Sequence, residues 1–214
     1  MKVPSAQDFN LISHWYTSYP SLGHWKEDFT GYEESFREFL QTGEPLHLYI
    51  HIPYCAKLCH YCICSIVISN DRSKIQFFLD HLLKEIDNLG EFSRKLDRSL
   101  NIREIHFGGG TPSHLDQQQF SQLCERLNTL VDLKSCDEVA MEIDPRTVNR
   151  GDLAHYASCG VTRISFGVQD FDLKVQEAIN RVQPPEMIEE LLKSRGLFKG
   201  VNFDLLYGLP YQSL

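Results

Sequence analysis

The sequence predicts an α/β fold, a parallel sheet of about five strands preceded by an N-terminal extension. Three observations predict it. From Leu46 onward, short apolar runs ending in Gly, Pro or polar residues recur; longer stretches with helical periodicity separate them; and the glycine, cysteine and carboxylate motifs fall just after the apolar runs. Ligands of parallel α/β sheets gather at the carboxyl ends of the strands, so the third observation places a binding site there.

The elements follow in order. Residues 1–45 are aromatic-rich and irregular and read as an extension or lid, in which Phe29, Tyr32, Phe36 and Phe39 or Leu40 recur at helical spacing and predict an amphipathic helix over about 25–41. The first strand, 47–52, contains Leu48-Tyr49-Ile50-His51-Ile52 and stops at Pro53. A helix over 74–89 puts Ile75, Phe78, Leu79, Leu82, Leu83 and Ile86 on one face, long enough for the crossover that a parallel pair requires. Further strands are expected at 103–107, 137–143, 162–168 and 202–206. No repeat, low-complexity tract or linker interrupts 46–214, which reads as one core domain. A closed barrel usually takes about 250 residues, so an intact fold is expected to want more chain than residues 46–214 supply.

With 42% hydrophobic and 23% charged residues, the 214-residue chain has the composition of a folded globular protein. Its formal charge of −8 argues against a general binder of nucleic acid or of membrane surfaces, which needs a basic excess. No apolar run resembles a membrane span or a signal peptide, and a cytoplasmic monomer is expected.

Seven cysteines without a signal peptide suit reduced thiols or a metal site better than a disulfide framework. Cys124, Cys136 and Cys159 are scattered and read as small buried hydrophobes. Cys55, Cys59 and Cys62 instead follow the first strand at C-x3-C-x2-C spacing, with Cys64 two residues on. Three thiolates from one loop can hold a four-iron cluster and leave one iron open to an exogenous ligand. The alternative is a structural zinc with His60 or Cys64 as fourth ligand.

After the second strand, Gly108-Gly109-Gly110-Thr111-Pro112 either lets backbone approach a ligand closely or forms a plain βα turn with Thr111 and Ser113 near a helix start. Glu142 ends the third strand before Asp144-Pro145-Arg146 and could cap a helix or bond a ribose or amino group. Gln169 and Asp170 end the fourth. Asp204 lies in the apolar-looking Phe203-Asp204-Leu205-Leu206, where a charge needs a partner; Arg181 is a candidate for that partner or for a ligand carboxylate.

Taken as a set, Tyr-Ile-His-Ile-Pro-Tyr-Cys, the cysteine run, Gly-Gly-Gly-Thr-Pro, Glu-Ile-Asp-Pro-Arg, Gly-Val-Gln-Asp-Phe and Tyr-Gly-Leu-Pro resemble the radical S-adenosylmethionine (SAM) superfamily. Within it they resemble the oxygen-independent coproporphyrinogen III oxidases. The resemblance runs from Tyr16-Thr17-Ser18-Tyr19-Pro20 to the end of the chain. Cys-Ile-Cys, Glu-Ile-Asp-Pro and Gly-Val-Gln-Asp-Phe separate the chain from the related haem-chaperone branch, while Ile63-Cys64-Ser65 and His14-Trp15 depart from the usual oxidase pattern.

The resemblance implies a partial (β/α)6 radical-SAM barrel with a [4Fe–4S] cluster on Cys55, Cys59 and Cys62. It implies two SAM molecules: Tyr49, Gly109 and Glu142 at the first, and Tyr61, Gly110, Thr111, Gln169, Arg181 and Asp204 at the second. His51 and Cys64 are candidate catalytic side chains. The implied reaction is oxidative decarboxylation of two propionates of coproporphyrinogen III to vinyl groups, giving protoporphyrinogen IX in haem biosynthesis. Its partners would be an electron donor such as flavodoxin or ferredoxin and an electron acceptor. The alternatives are a haem chaperone, a haem-degrading radical SAM methyltransferase, or a non-catalytic metal-binding fragment. The resembled family runs to about twice this length, so the resemblance implies that a sixth strand and a C-terminal domain are missing and that the chain is poorly active alone.

Overall fold

The structure, a computed structural model, describes residues 30–213. The Tyr16–Pro20 motif and the first part of the expected 25–41 helix lie outside the described residues. The chain divides into two compact units, Met1–Phe39 and Leu40–Leu214. Helix α1, Tyr32–Thr42, realises the aromatic periodicity: Tyr32 and Phe36, one turn apart, stack with centroids 6.1 Å apart.

The second unit is built on a five-stranded sheet. Its strands are β1 (Leu46–Ile52), β4 (Ile102–Gly109), β5 (Glu138–Ile143), β6 (Arg163–Gln169) and β7 (Gly200–Leu205), in that spatial order and all parallel. Two strands of two residues each, β2 (Tyr54–Cys55) and β3 (Val67–Ile68), form a separate parallel pair. The crossover helices are α2 (Arg72–Lys95), α3 (Gln117–Leu127), α4 (Arg150–Ser158), α5 (Leu173–Ala178) and α6 (Pro185–Leu192). Because spatial order follows chain order and such crossovers are right-handed, the helices fall on one face, as in a barrel wall.

The pleat then sorts the side chains. Ile50 and Ile52, Ile105 and Phe107, Val139, Met141 and Ile143, and Ile164, Phe166 and Val168 are buried on the helix side. Phe120 from α3 meets Phe107 edge-on at 5.3 Å and Tyr156 from α4 at 4.9 Å, locking two helices onto the sheet. The alternate positions form a polar row on the other face: His47 bonds Glu104 at 2.8 Å, His106 bonds Glu142 at 3.2 Å, and Arg163 bonds Glu138 at 2.7 Å.

Helix starts are set by short polar caps. Asp71 accepts from the amides of Ser73 and Lys74, Asp172 accepts from those of Lys174 and Val175, and Asp116 and Asn149 form capping boxes with Gln119 and Asp152. Helix α2 runs past the expected end at 89, through Gly90, to Lys95. A side chain at Gly90 would meet Leu130 Cδ2 at 2.9 Å, so the glycine serves close packing rather than termination. The charge of Asp204, expected to need a partner among apolar neighbours, is instead exposed by the pleat on the polar face, where it accepts from Ser165 Oγ at 3.0 Å and Asn202 Nδ2 at 3.0 Å. Its partner is not Arg181, which pairs with Asp144 at 3.3 Å. Among the described residues no helix is long and apolar enough to cross a membrane.

Candidate cofactor cleft

The cysteine loop leaves β1 at Pro53 and is tied down at both limbs. The Val67 amide donates to the Pro53 carbonyl at 2.7 Å and the Ser69 amide to the Cys55 carbonyl at 3.1 Å, which is the β2–β3 pairing. On the far limb, the His60 amide donates to Ile179 O at 3.0 Å, and Asn180 Nδ2 donates to Leu58 O at 2.7 Å. His60 Nδ1 lies 3.0 Å from Ala178 O, so this imidazole is held by the end of α5.

The glycine run follows β4 and packs against that loop. The Gly110 amide donates to Ile52 O at 2.8 Å. A Cβ on Gly110 would lie 2.6 Å from Pro53 O and 2.9 Å from Cys55 Sγ, and Gly109 has φ +118°, a region L side chains rarely adopt. The close approach seen here is to the cysteine loop, and Thr111 and Ser113 also stand at the start of the short turn Pro112–His114, as the plain-turn reading expected. Thr111 makes no capping bond to the following turn; its hydroxyl bonds Gly110 O at 2.7 Å and lies 3.3 Å from Cys55 Sγ. Burial pushes the Cys55 thiol up; the Thr111 bond opposes this and the neighbouring thiols add to it.

Gln169 ends β6 with φ +71°, uncommon for a side chain that size, at a register shift between Gly167 and Gln169. The backbone turn brings it beside Arg181, whose Nε and Nη2 donate to Gly167 O at 3.2 and 2.8 Å. Gly167 keeps the crossing open, since a Cβ there would meet Arg181 Nη2 at 2.8 Å and Gln169 Nε2 at 2.9 Å.

The three cysteines, Tyr61, Cys64, Gly109, Gly110, Thr111, Glu142, Gln169, Arg181 and Asp204 all line one cleft at the carboxyl ends of the strands. Tyr49 and His51 stand behind it. Tyr49 stacks on His106 at 5.8 Å, and its hydroxyl lies 3.1 Å from His51 Nδ1. Glu142 bonds His106 and caps no helix; the cap of the following turn is Asp144. Cys124 and Cys136 are buried in the core and Cys159 is half-buried against it, as expected of small hydrophobes.

Among the cleft residues that the sequence did not mark as candidates are two charged ones. Asp144 and Arg146 line it beside Cys59, and Arg146 Nη2 donates to Asp144 Oδ2 at 2.7 Å. Burial works against the Asp144 charge, but the Arg146 bonds and the Arg181 charge outweigh it and hold the carboxyl below the usual carboxylate range. Asp144 was visible in the Glu-Ile-Asp-Pro-Arg motif, but its role depends on Arg181, which is distant in sequence.

Residues 49–214 match the profile of the Radical SAM superfamily. The chain belongs to the radical SAM superfamily. Membership implies a [4Fe–4S] cluster and SAM. The chain is 38% identical over 211 residues to the oxygen-independent coproporphyrinogen III oxidase of Pseudomonas aeruginosa, covering 96% of this chain and 45% of that protein. It is 37% identical to the enzyme of that name from Helicobacter pylori, over 92% of this chain and 44% of that protein. The fold is that of coproporphyrinogen III oxidase (HemN) from Escherichia coli, described as a radical SAM enzyme: TM-score 0.81 at 36% identity, over 93% of this chain and 45% of that one. The chain thus spans a little under half the length of the relatives it matches.

The residues present fit the implied group in donor type, three thiols on one loop, while their sulfurs are not gathered as placed. Three thiols of one loop share the cleft, Gly110 leaves the space beside Cys55 free of side chain, and two guanidiniums reach the Cys59 sulfur. As placed, no group of three or more His, Cys, Asp or Glu among the described residues would hold a metal ion.

Proposed function

We propose that this chain is the cofactor-holding half of an oxygen-independent coproporphyrinogen III oxidase. The observation that carries the reading is the meeting of the cysteine loop, the glycine run and Glu142, from three separate strand ends, in one cleft. The names and extents of the relatives add support. Cys55, Cys59 and Cys62 would hold the [4Fe–4S] cluster with one iron free for SAM. When bound, the cluster supplies one electron to the SAM sulfonium, the chemistry that starts hydrogen abstraction from a propionate side chain of coproporphyrinogen III.

The chain's own residues bind and orient. Gly109 and Gly110 let backbone come close to the cofactor, and Glu142 offers an acceptor to its cationic amino group. With Tyr49 these would serve the first SAM. Tyr61, Thr111, Gln169, Arg181 and Asp204, with Gly110, would serve a second molecule beside it. Cys64 borders the cleft as a candidate catalytic thiol, and His51, with both ring nitrogens engaged, is better suited to holding the loop. A small electron-transfer protein would supply reducing equivalents, and a separate acceptor would take the electron left after loss of carbon dioxide.

Asn202 and Asp204 of β7 are exposed on the polar face, and the relatives are more than twice as long. The 214 residues are expected to bind the cluster and SAM. The test is anaerobic cluster reconstitution, iron and sulfide counts, and electron paramagnetic resonance of the reduced protein with and without SAM. About four irons and a signal altered by SAM are expected. Bound zinc, or a signal indifferent to SAM, would refute the reading.

A further inference from the structure

The Arg146 guanidinium is anchored along its whole edge. Its Nε and Nη2 donate to the Asp144 carboxylate at 3.0 and 2.7 Å, its Nη1 donates to Asn180 O at 3.3 Å, and Nη2 also reaches Cys59 Sγ at 3.6 Å. Arg181, held by the Gly167 carbonyl, brings a second guanidinium: its Nη1 lies 3.3 Å from Asp144 Oδ2 and 3.4 Å from Cys59 Sγ. The side chains of Asp144 and Arg181 are about nine-tenths buried and that of Arg146 is four-fifths buried, at 9, 8 and 20% exposure.

Two largely buried cations thus share one carboxylate, and a buried charge without a counter-charge is costly. The group both cations reach besides Asp144 is the Cys59 sulfur, a cluster ligand in the reading above. Cys55 is treated differently, with the neutral Thr111 hydroxyl as its sulfur's partner at 3.3 Å. Hydrogen bonds and positive charge at a cluster sulfur favour the more negative, reduced state of an iron–sulfur centre.

We infer that Arg146, oriented by Asp144, is a positioning residue that acts through Cys59: it fixes the charge around that thiolate and raises the reduction potential of the cluster. The inference rests on the cluster reading above. Arg146 is suited to the task and Lys is not its equivalent, because the planar fork holds carboxylate and sulfur at once.

The experiment is a redox titration of the reconstituted 214-residue chain, followed by electron paramagnetic resonance in the absence of SAM, for the parent, Arg146→Met and Arg146→Lys. Iron and sulfide are counted in each sample. Arg146→Met is expected to lower the midpoint so that the ratio of reduced to oxidised cluster at a fixed potential falls about tenfold, about 59 mV for a one-electron couple. Arg146→Lys is expected to recover part of that shift. Should Arg146→Met fail to fold or load, Arg146→Gln, which keeps a hydrogen-bond donor for Asp144 but no charge, is expected to show the same lowering. A fully loaded Met or Gln variant with the parent's midpoint would overturn the inference and leave the cluster reading standing. A parent chain that takes up no iron would overturn both.

Discussion

His106 Nε2 lies 3.2 Å from Glu142 Oε1, so the polar face of the sheet ties the middle of β4 to the strand end that carries a candidate SAM contact. The Glu142 hydrogen bond raises the His106 pKa above its ordinary value; partial burial opposes this, and the charges of Glu142, Glu138 and Asp204 add to it. A raised folded-state value means that the pair stabilises the protein fully below the unfolded histidine pKa of about 6.5 and loses that contribution as pH rises through the folded value. Both groups are nearly half exposed, so the effect is expected to stay under about 1 kcal/mol. Melting curves of parent and His106→Gln should differ most near pH 6 and converge on the alkaline side. A gap that widens with pH would contradict the assignment.

His51 bridges the end of β1 and the returning part of the cysteine loop just before β3, with Nε2 at 2.9 Å from Ser65 O and Nδ1 at 3.1 Å from the Tyr49 hydroxyl. Removing the ring should loosen the loop without removing a cluster ligand. His51→Ala is expected to lose iron faster than the parent during anaerobic gel filtration, while the cluster that remains keeps the parent's spectrum. Full retention would show that the bridge does not secure the loop.

Gly110→Ala places a methyl group 2.6 Å from a backbone oxygen, which cannot swing aside, and 2.9 Å from the Cys55 sulfur. Overpacking of this kind costs about 1–3 kcal/mol. The melting temperature should fall, and reconstituted iron should fall with it, because the displaced atoms belong to Pro53 and Cys55. Gly196→Ala, with nothing within 4 Å of the added carbon, is the control expected to leave both unchanged.

Phe120→Ala empties the junction between the sheet and helices α3 and α4, where Phe107 and Tyr156 both lean on the ring. A fully buried phenylalanine cut to alanine costs about 3–5 kcal/mol. Chemical denaturation should show that loss as a lower midpoint with little change in slope. A loss below about 1 kcal/mol would mean that the neighbours collapse into the space.

The five strands were legible because each is an apolar run stopped by glycine, proline or a polar residue, and all five lie within two residues of their expected places. The cleft was legible for a similar reason: in a parallel sheet whatever follows a strand lands on the same rim, so Cys55, Gly109, Glu142 and Gln169 had to be neighbours. Helix α2 runs six residues past its expected end at 89, to Lys95, because the apolar face that marked it ends at Ile86 while the helix does not. Asp204 looked stranded among apolar residues because period-two alternation is hard to see when only the outer positions, Phe203 and Leu205, catch the eye. The β2–β3 pair, two residues a side, is too short to carry any periodicity.

The sequence by itself determined the strand order of the chemistry, the cysteine spacing and the family, since these depend on residues close together in the chain. Only the tertiary structure decided which charges meet. Asp144, Arg146 and Arg181 converge on Cys59 because crossovers of different lengths return their segments to one rim, and ion pairing at that range follows from distance in space, which no local pattern encodes.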